Sequence, residues 1–191
     1  KDRYELRIAA LLHDCGKVTT PVHVVDKATK LQTLFDRIHL VDTRFEVLKR
    51  DAQLAMLKAK LALRDSHDDQ RKSPWDAHAE AALDEDLARH LHQIESDREF
   101  LRQSNVGSEL MTPEAQERVS RIGTGYRWID VDGKSANFLS DDELENLNIR
   151  AGTLTQKERE TINYHIVATN KMLEQLPWPK HLRNVPEYAG G

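Results

Sequence analysis

Apolar and polar positions alternate with helical periods along most of the chain. Residues 4–15 are apolar nearly all round, with Leu6, Ile8, Ala9, Ala10, Leu11 and Leu12, the composition of a buried helix. Gly16 stands where a left-handed cap would end it, and Pro21 breaks any continuation. Apolar or small residues then recur at Leu34, Ile38, Val41, Phe45, Leu48, Ala52, Ala55, Ala59 and Ala62. The steps alternate four and three, a heptad seam that predicts a long helix packed lengthwise on another. The polar run DSHDDQRKSP, residues 65–74, interrupts it, and Pro74 suits the first turn of a new helix. A second helix is predicted over 73–103, its seam formed by Ala79, Leu83, Leu87, His90 or Leu91, Ile94 and Leu101. The short connection favours antiparallel pairing, so residues 32–103 read as a helical hairpin; two separate surface helices are the alternative.

Downstream the punctuation is clear. Thr112 and Pro113 supply an N-cap and a first-turn proline. Tyr126, Trp128 and Ile129 with the Asp132-Gly133 turn suggest a small β-hairpin. Ser140 with Glu143, and Thr155 with Glu158, form two capping boxes. The second opens a helix running to about Leu176, its apolar face being Ile162, Ile166, Thr169, Met172, Leu173 and Leu176; Pro177 and Pro179 stop it.

Composition narrows the class. The 191 residues suit one domain, or one domain with a large insertion. Charged residues are 31%, hydrophobic 39% and aromatic 6%, which excludes a β-sandwich and fits a soluble helical chain. A net charge of −4 argues against binding a nucleic-acid polymer through a basic face. No apolar run approaches the ~20 residues of a membrane span, so no membrane contact is expected. The N-terminal KDRYELRIAALLH is too short and too charged for a signal peptide. One cysteine excludes an internal disulfide and fits a reducing, cytoplasmic compartment.

The chemistry-bearing string is AALLHDCGK, residues 9–17. An ionised aspartate beside a histidine at the end of an apolar helix is costly unless paired or metal-bound. Imidazole and carboxylate are good ligands for Mn, Fe, Zn or Mg. Lys17 follows one turn after His13, placed to neutralise an anionic substrate. A His13–Asp14 pair that merely caps the helix end is the structural alternative. His165 lies between Ile162 and Ile166 on the predicted apolar face, where a core histidine is commoner than a ligand.

LLHDCGK with the following VTTP resembles the signature of the HD superfamily of metal-dependent phosphohydrolases. LTQKERETINYHIVATNKMLEQLPWPKHLRNVPEYAGG, residues 154–191, resembles the next part of the HD-GYP subfamily, bacterial cyclic-di-GMP phosphodiesterases. The resemblance covers residues 1–30 and 154–191. It implies an all-α fold, a centre of two or three divalent ions (Fe, Mn or another transition metal) and hydroxide attack on a phosphodiester. By resemblance His13 is a metal ligand, Asp14 the bridging and catalytic ligand, Lys17 a contact to substrate phosphate, and His165 a ligand from the following helix. A further ligand upstream, paired histidines, the GYP motif and a later aspartate belong to the family pattern and are not in this sequence. The expectation is therefore part of a catalytic domain, with three ligands forming an incomplete shell for two metals.

The implied organisation is an HD-like first part at 1–31, an insertion at 32–150 holding the helical hairpin and a small irregular or β segment, and a second HD-like part at 151–191. Two functions follow. One is a phosphodiesterase fragment acting on a cyclic dinucleotide in signalling, inactive alone. The other is a catalytically incomplete HD module for regulation, partner binding or dimerisation, with the hairpin docking a homodimer partner or a sensor domain. The remaining candidates read as structural. His67, His78, His90 and His92 lie in the insertion, and His90 and His92 point to different helix faces. His39 is a solvated helix residue. His181 lies where it could face the substrate cleft. Cys15 has no base partner and packs. Asp130, Asp132, Asp141 and Asp142 lack EF-hand spacing and form solvated turns.

Overall fold

The computed structural model describes residues 2–65 and 74–190. The fold is all-α apart from one small hairpin. In chain order the elements are α1 (Asp2–Leu12), a 3-10 turn (Cys15–Thr19), α2 (Val22–Val25), α3 (Ile38–Asp65), α4 (Pro74–Val106), α5 (Pro113–Gly125), β1 (Arg127–Ile129), β2 (Ser135–Asn137), α6 (Asp141–Leu147), α7 (Gln156–Glu174), a 3-10 turn (Lys180–Leu182) and α8 (Val185–Gly190).

The long helices α3 and α4 pack against one another, as the heptad spacing requires. Their seam differs from the expected one at three places. Leu34 is exposed ahead of the helix, because α3 begins at Ile38, whose backbone N–H bonds the Asp36 carboxylate. Ile38, Val41, Phe45 and Leu48 are buried. Beyond Ala52 the half-buried apolar positions are Met56, Ala59 and Leu63, while Ala55 and Ala62 are exposed. The larger side chains take the contact there, since alanine buries little area. On α4 the seam uses Leu91 and leaves His90 exposed. The polar connection between the helices, with His67, lies outside the described residues.

Two apolar cores form. The larger joins the base of the α3–α4 hairpin to α5, the β-hairpin and α6, with Phe45, Tyr126 and Phe138 in mutual ring contact. Arg44 fixes α3 to α6 through both Glu143 oxygens and stacks over Trp128. The predicted N-cap at Thr112 and both capping boxes are present. β1 and β2 pair antiparallel, and Gly133 takes φ 75° in the turn between them, a conformation that favours glycine. Asp130 Oδ1 accepts from Asp132 N and Lys134 N, so the acidic turn is held by its own backbone.

The smaller core joins α1, α7 and α8 through Ala9, Leu173, Val185 and Ala189, with Cys15 packed against it. Here the all-round burial expected of residues 4–15 does not hold. Glu5 and Ala9 are buried, while Tyr4, Leu6 and Leu11 are exposed. Only one face of α1 meets a neighbour, and Glu5 is buried because it accepts from Asn184 on the approach to α8. The face of α7 is also rotated: Ala168, Thr169 and Leu173 are buried, but Ile166, Met172 and Leu176 are exposed.

Two buried lysines connect the segments. Lys27 donates to Asn146 at 2.8 Å and to both oxygens of Glu158 at 2.9 Å, joining α6 to the N-terminus of α7. Lys30 donates to the carbonyls of Leu147 and Ile149, at 3.1 and 2.8 Å, just past the end of α6. Burial pushes its ammonium down to about 8.

Candidate metal centre

α1 ends at Leu12, and Gly16 does not cap it in a left-handed conformation; it lies inside the 3-10 turn Cys15–Thr19. Glycine is needed there for space. A Cβ on Gly16 would lie 2.1 Å from the carbonyl oxygen of His165 and 2.5 Å from the amide nitrogen of Thr169. The turn therefore rests directly on the backbone of α7, one turn after His165. Gly16 N donates to Thr169 Oγ1 at 2.9 Å, and that hydroxyl donates to the His13 carbonyl at 3.2 Å. Gly16 and Thr169, 153 residues apart in sequence, are locked at this point, and the lock brings the sequence candidates together.

Asp14 is the hub. Lys17 Nζ is 2.7 Å from Asp14 Oδ2, His13 Nε2 is 3.2 Å from the same oxygen, and His165 Nε2 is 3.4 Å from Oδ1. Hydrogen bonding from Lys17 holds the Asp14 carboxyl below the ordinary aspartate value; desolvation opposes this, and the charges of His13, Lys17 and His165 reinforce it. His165 is 14% exposed and His13 58%, so the centre has a walled side and an open side.

The two imidazoles are oriented alike. His13 Nδ1 is 2.7 Å from the Ala10 carbonyl, and His165 Nδ1 contacts the Ile162 carbonyl. A carbonyl only accepts, so Nδ1 carries a proton in either ring, and Nε2 is the nitrogen left to face Asp14. Both Nε2 atoms face Asp14 oxygens, at 3.2 and 3.4 Å, and when unprotonated they are the nitrogens a cation held by Asp14 would take. This nitrogen and oxygen donor set fits a divalent transition metal: His13, Asp14 and His165 would hold it. Among the described residues no group of three or more His, Cys, Asp or Glu is placed so that it could hold a metal ion. The three donors would supply at most a partial shell, and Lys17 already lies on one of the Asp14 oxygens.

The four residues singled out in the sequence are thus neighbours. His181 is exposed in the turn Lys180–Leu182 and is not among the partners of Asp14. Two residues that position the centre were misread as ordinary. Thr169 counted as a member of the apolar face and Gly16 as a cap. The available signal was Thr169 four residues after His165, hence on the same side of the helix.

The chain matches the HD domain family over residues 1–99 and a second HD domain model over residues 141–191. The chain belongs to the HD domain family, and the first match extends well into the hairpin helices. No curated protein and no solved structure matches it. Among the described residues no helix is long and apolar enough to cross a membrane.

Proposed function

We propose that this chain is part of an HD-GYP-type phosphodiesterase that hydrolyses a cyclic dinucleotide, cyclic-di-GMP, in bacterial signalling. The observation that carries this reading is the convergence of His13, Asp14, His165 and Lys17 on one open-sided centre. A divalent ion there would supply Lewis acidity toward a phosphoryl oxygen. The chain's own residues do the rest. His165 and Asp14 fix the walled side. Lys17 presents a cation beside the open side, where an anionic diester oxygen would exchange for Asp14 Oδ2 as its partner. The resemblance of residues 154–191 to HD-GYP proteins supports the subfamily and the substrate; Fe and Mn are the proposed metals.

A second reading is supported by the donor count. Three ligands leave a two-metal mechanism short of donors, which favours an HD module that binds and regulates without turnover. Cyclic-di-GMP hydrolysis with Mn or Fe, followed by chromatography of the products, separates the two. The first reading expects this chain to be inactive alone, and a longer form supplying further ligands to be active and silenced by Asp14→Ala. Near-unchanged turnover in that variant removes the HD pair from the chemistry. Nucleotide binding without hydrolysis in the longer form supports the second reading.

A further inference from the structure

The side of α3 that packs on α4 is one of two heptad seams on that helix. Leu40, Val47, Leu54 and Leu61 recur every seven residues, and Leu57 follows Leu54 by three. Nine residues separate Phe45 from Leu54; at ~100° per residue they lie on opposite sides of the helix. Phe45 is buried, whereas Leu40, Leu54, Leu57 and Leu61 are 45%, 50%, 53% and 58% exposed. Single exposed leucines are ordinary. Three of them in one seven-residue register, with Val47 half-buried between and Leu57 three residues after Leu54, repeat the pattern that pairs helices.

We propose that this outer face of α3 is a dimer contact, in which two copies of the chain pair α3 with α3 antiparallel, Leu54 opposite the partner's Leu57. Charge selects both the occupant and the direction. Arg50 and Arg64 take the same heptad position as Leu57. Parallel pairing in register would set each arginine against its own copy. Antiparallel pairing sets Arg50 level with the partner's Leu61 instead, where its stem covers apolar surface.

The flank adds two pairs. Asp51 and Lys58 are exposed, seven residues apart on one side of the leucine stripe, and neither forms an ion pair among the described residues. In the antiparallel register Asp51 comes within about 3 Å of level with the partner's Lys58, and a twofold axis repeats the pair. Several other charges on the hairpin pair within it, Lys60 with Asp84, Arg64 with Glu80 and Lys49 with Glu95. The unpaired Asp51 and Lys58 are thus complementary to a second copy.

Sedimentation equilibrium on the chain tests this. The wild-type chain is expected to be dimeric at about 100 µM. Leu54→Glu with Leu57→Glu is expected to give a monomer with unchanged helicity and melting, because both side chains face outward. Lys58→Asp alone should weaken the dimer at least ~10-fold, and adding Asp51→Lys should restore it. A monomeric wild type, a dimer that survives the double leucine change, or a double reversal no better than the single one would overturn the proposal. If the leucine variant fails to fold, the charge reversal still decides. None of these readouts depends on the metal centre.

Discussion

Gly16→Ala attacks the point where the His13–Asp14 turn meets α7. The new Cβ would lie 2.1 Å from His165 O, 2.5 Å from Thr169 N and 2.7 Å from Thr169 Oγ1. Carbon–oxygen contacts settle near ~3.3 Å, so the turn must withdraw by about 1 Å. α7 cannot yield instead, since Ala168, Thr169 and Leu173 anchor it in the core. Withdrawal breaks the 2.9 Å bond from Gly16 N and the 3.2 Å bond to the His13 carbonyl. Two hydrogen bonds at ~1 kcal/mol each, with an overpacking cost of similar size, give about 3 kcal/mol. In a chain of this length that lowers the melting temperature by roughly 6–12 °C. The same movement carries Asp14 away from His165, so the affinity for Mn should fall as well. Differential scanning calorimetry and a metal titration on the same sample read both effects. A variant that melts within about 2 °C of wild type and binds Mn equally well would refute the tight contact.

Three further outcomes are expected. Thr169→Val keeps the shape but leaves the Gly16 N–H and the His13 carbonyl without their partner, costing about 1–2 kcal/mol, while Thr169→Ser should recover most of it; denaturant melts of the pair decide this. Phe45→Ala should cost about 3–5 kcal/mol, because Phe45 sits among Tyr126 and Phe138 in the larger core and not only in the hairpin seam; a loss under ~1 kcal/mol would show that the cluster collapses to fill the space. Acid should unfold the protein through Glu143 and Glu158. Burial pushes both carboxyls up, but hydrogen bonds outweigh it, from Arg44 and Ser140 N–H to Glu143 and from Lys27 and Thr155 to Glu158, leaving both below the ordinary 4.5. Carboxyls that bind protons less readily when folded stabilise the fold above that value, and the contribution is lost as pH falls from it through the depressed folded values. Calorimetry in that range should show the loss, and a shallower one in Arg44→Met with Glu143→Gln; superimposable acid profiles would contradict the assignment.

The sequence made the long helices, caps and turns legible because their signals are local. Thr112, Ser140 and Thr155 cap where expected, and the Phe45 end of the α3 seam faces α4. What failed depended on partners. Leu6 and Leu11 looked buried because the run from Ile8 to Leu12 is apolar, but burial depends on how many faces find a neighbour, and charged Arg3 and Arg7 mark a helix with an outer side. Ile166 and Met172 failed alike on α7. The seam shift from Ala55 to Met56 was hidden because a pattern of small residues fixes period better than register. At the centre, His13, Asp14, Lys17 and His165 were recognisable as residue types, but their meeting was implied only by family resemblance. The lock that makes them meet is one glycine and one threonine far apart in sequence. Lys27 offered no signal at all, since a lysine between Asp26 and Ala28 reads as surface.

The central claim is that Asp14, flanked by His13 and His165, is a divalent-metal site. Isothermal titration of Mn into the wild-type chain and into Asp14→Ala tests it most directly. The wild type should bind about one ion weakly, as a partial shell with waters completing it would, and Asp14→Ala should abolish the heat while leaving the helices intact by circular dichroism. Equal binding in the two proteins would contradict the site; tight uptake of two ions by the wild type would contradict the partial shell.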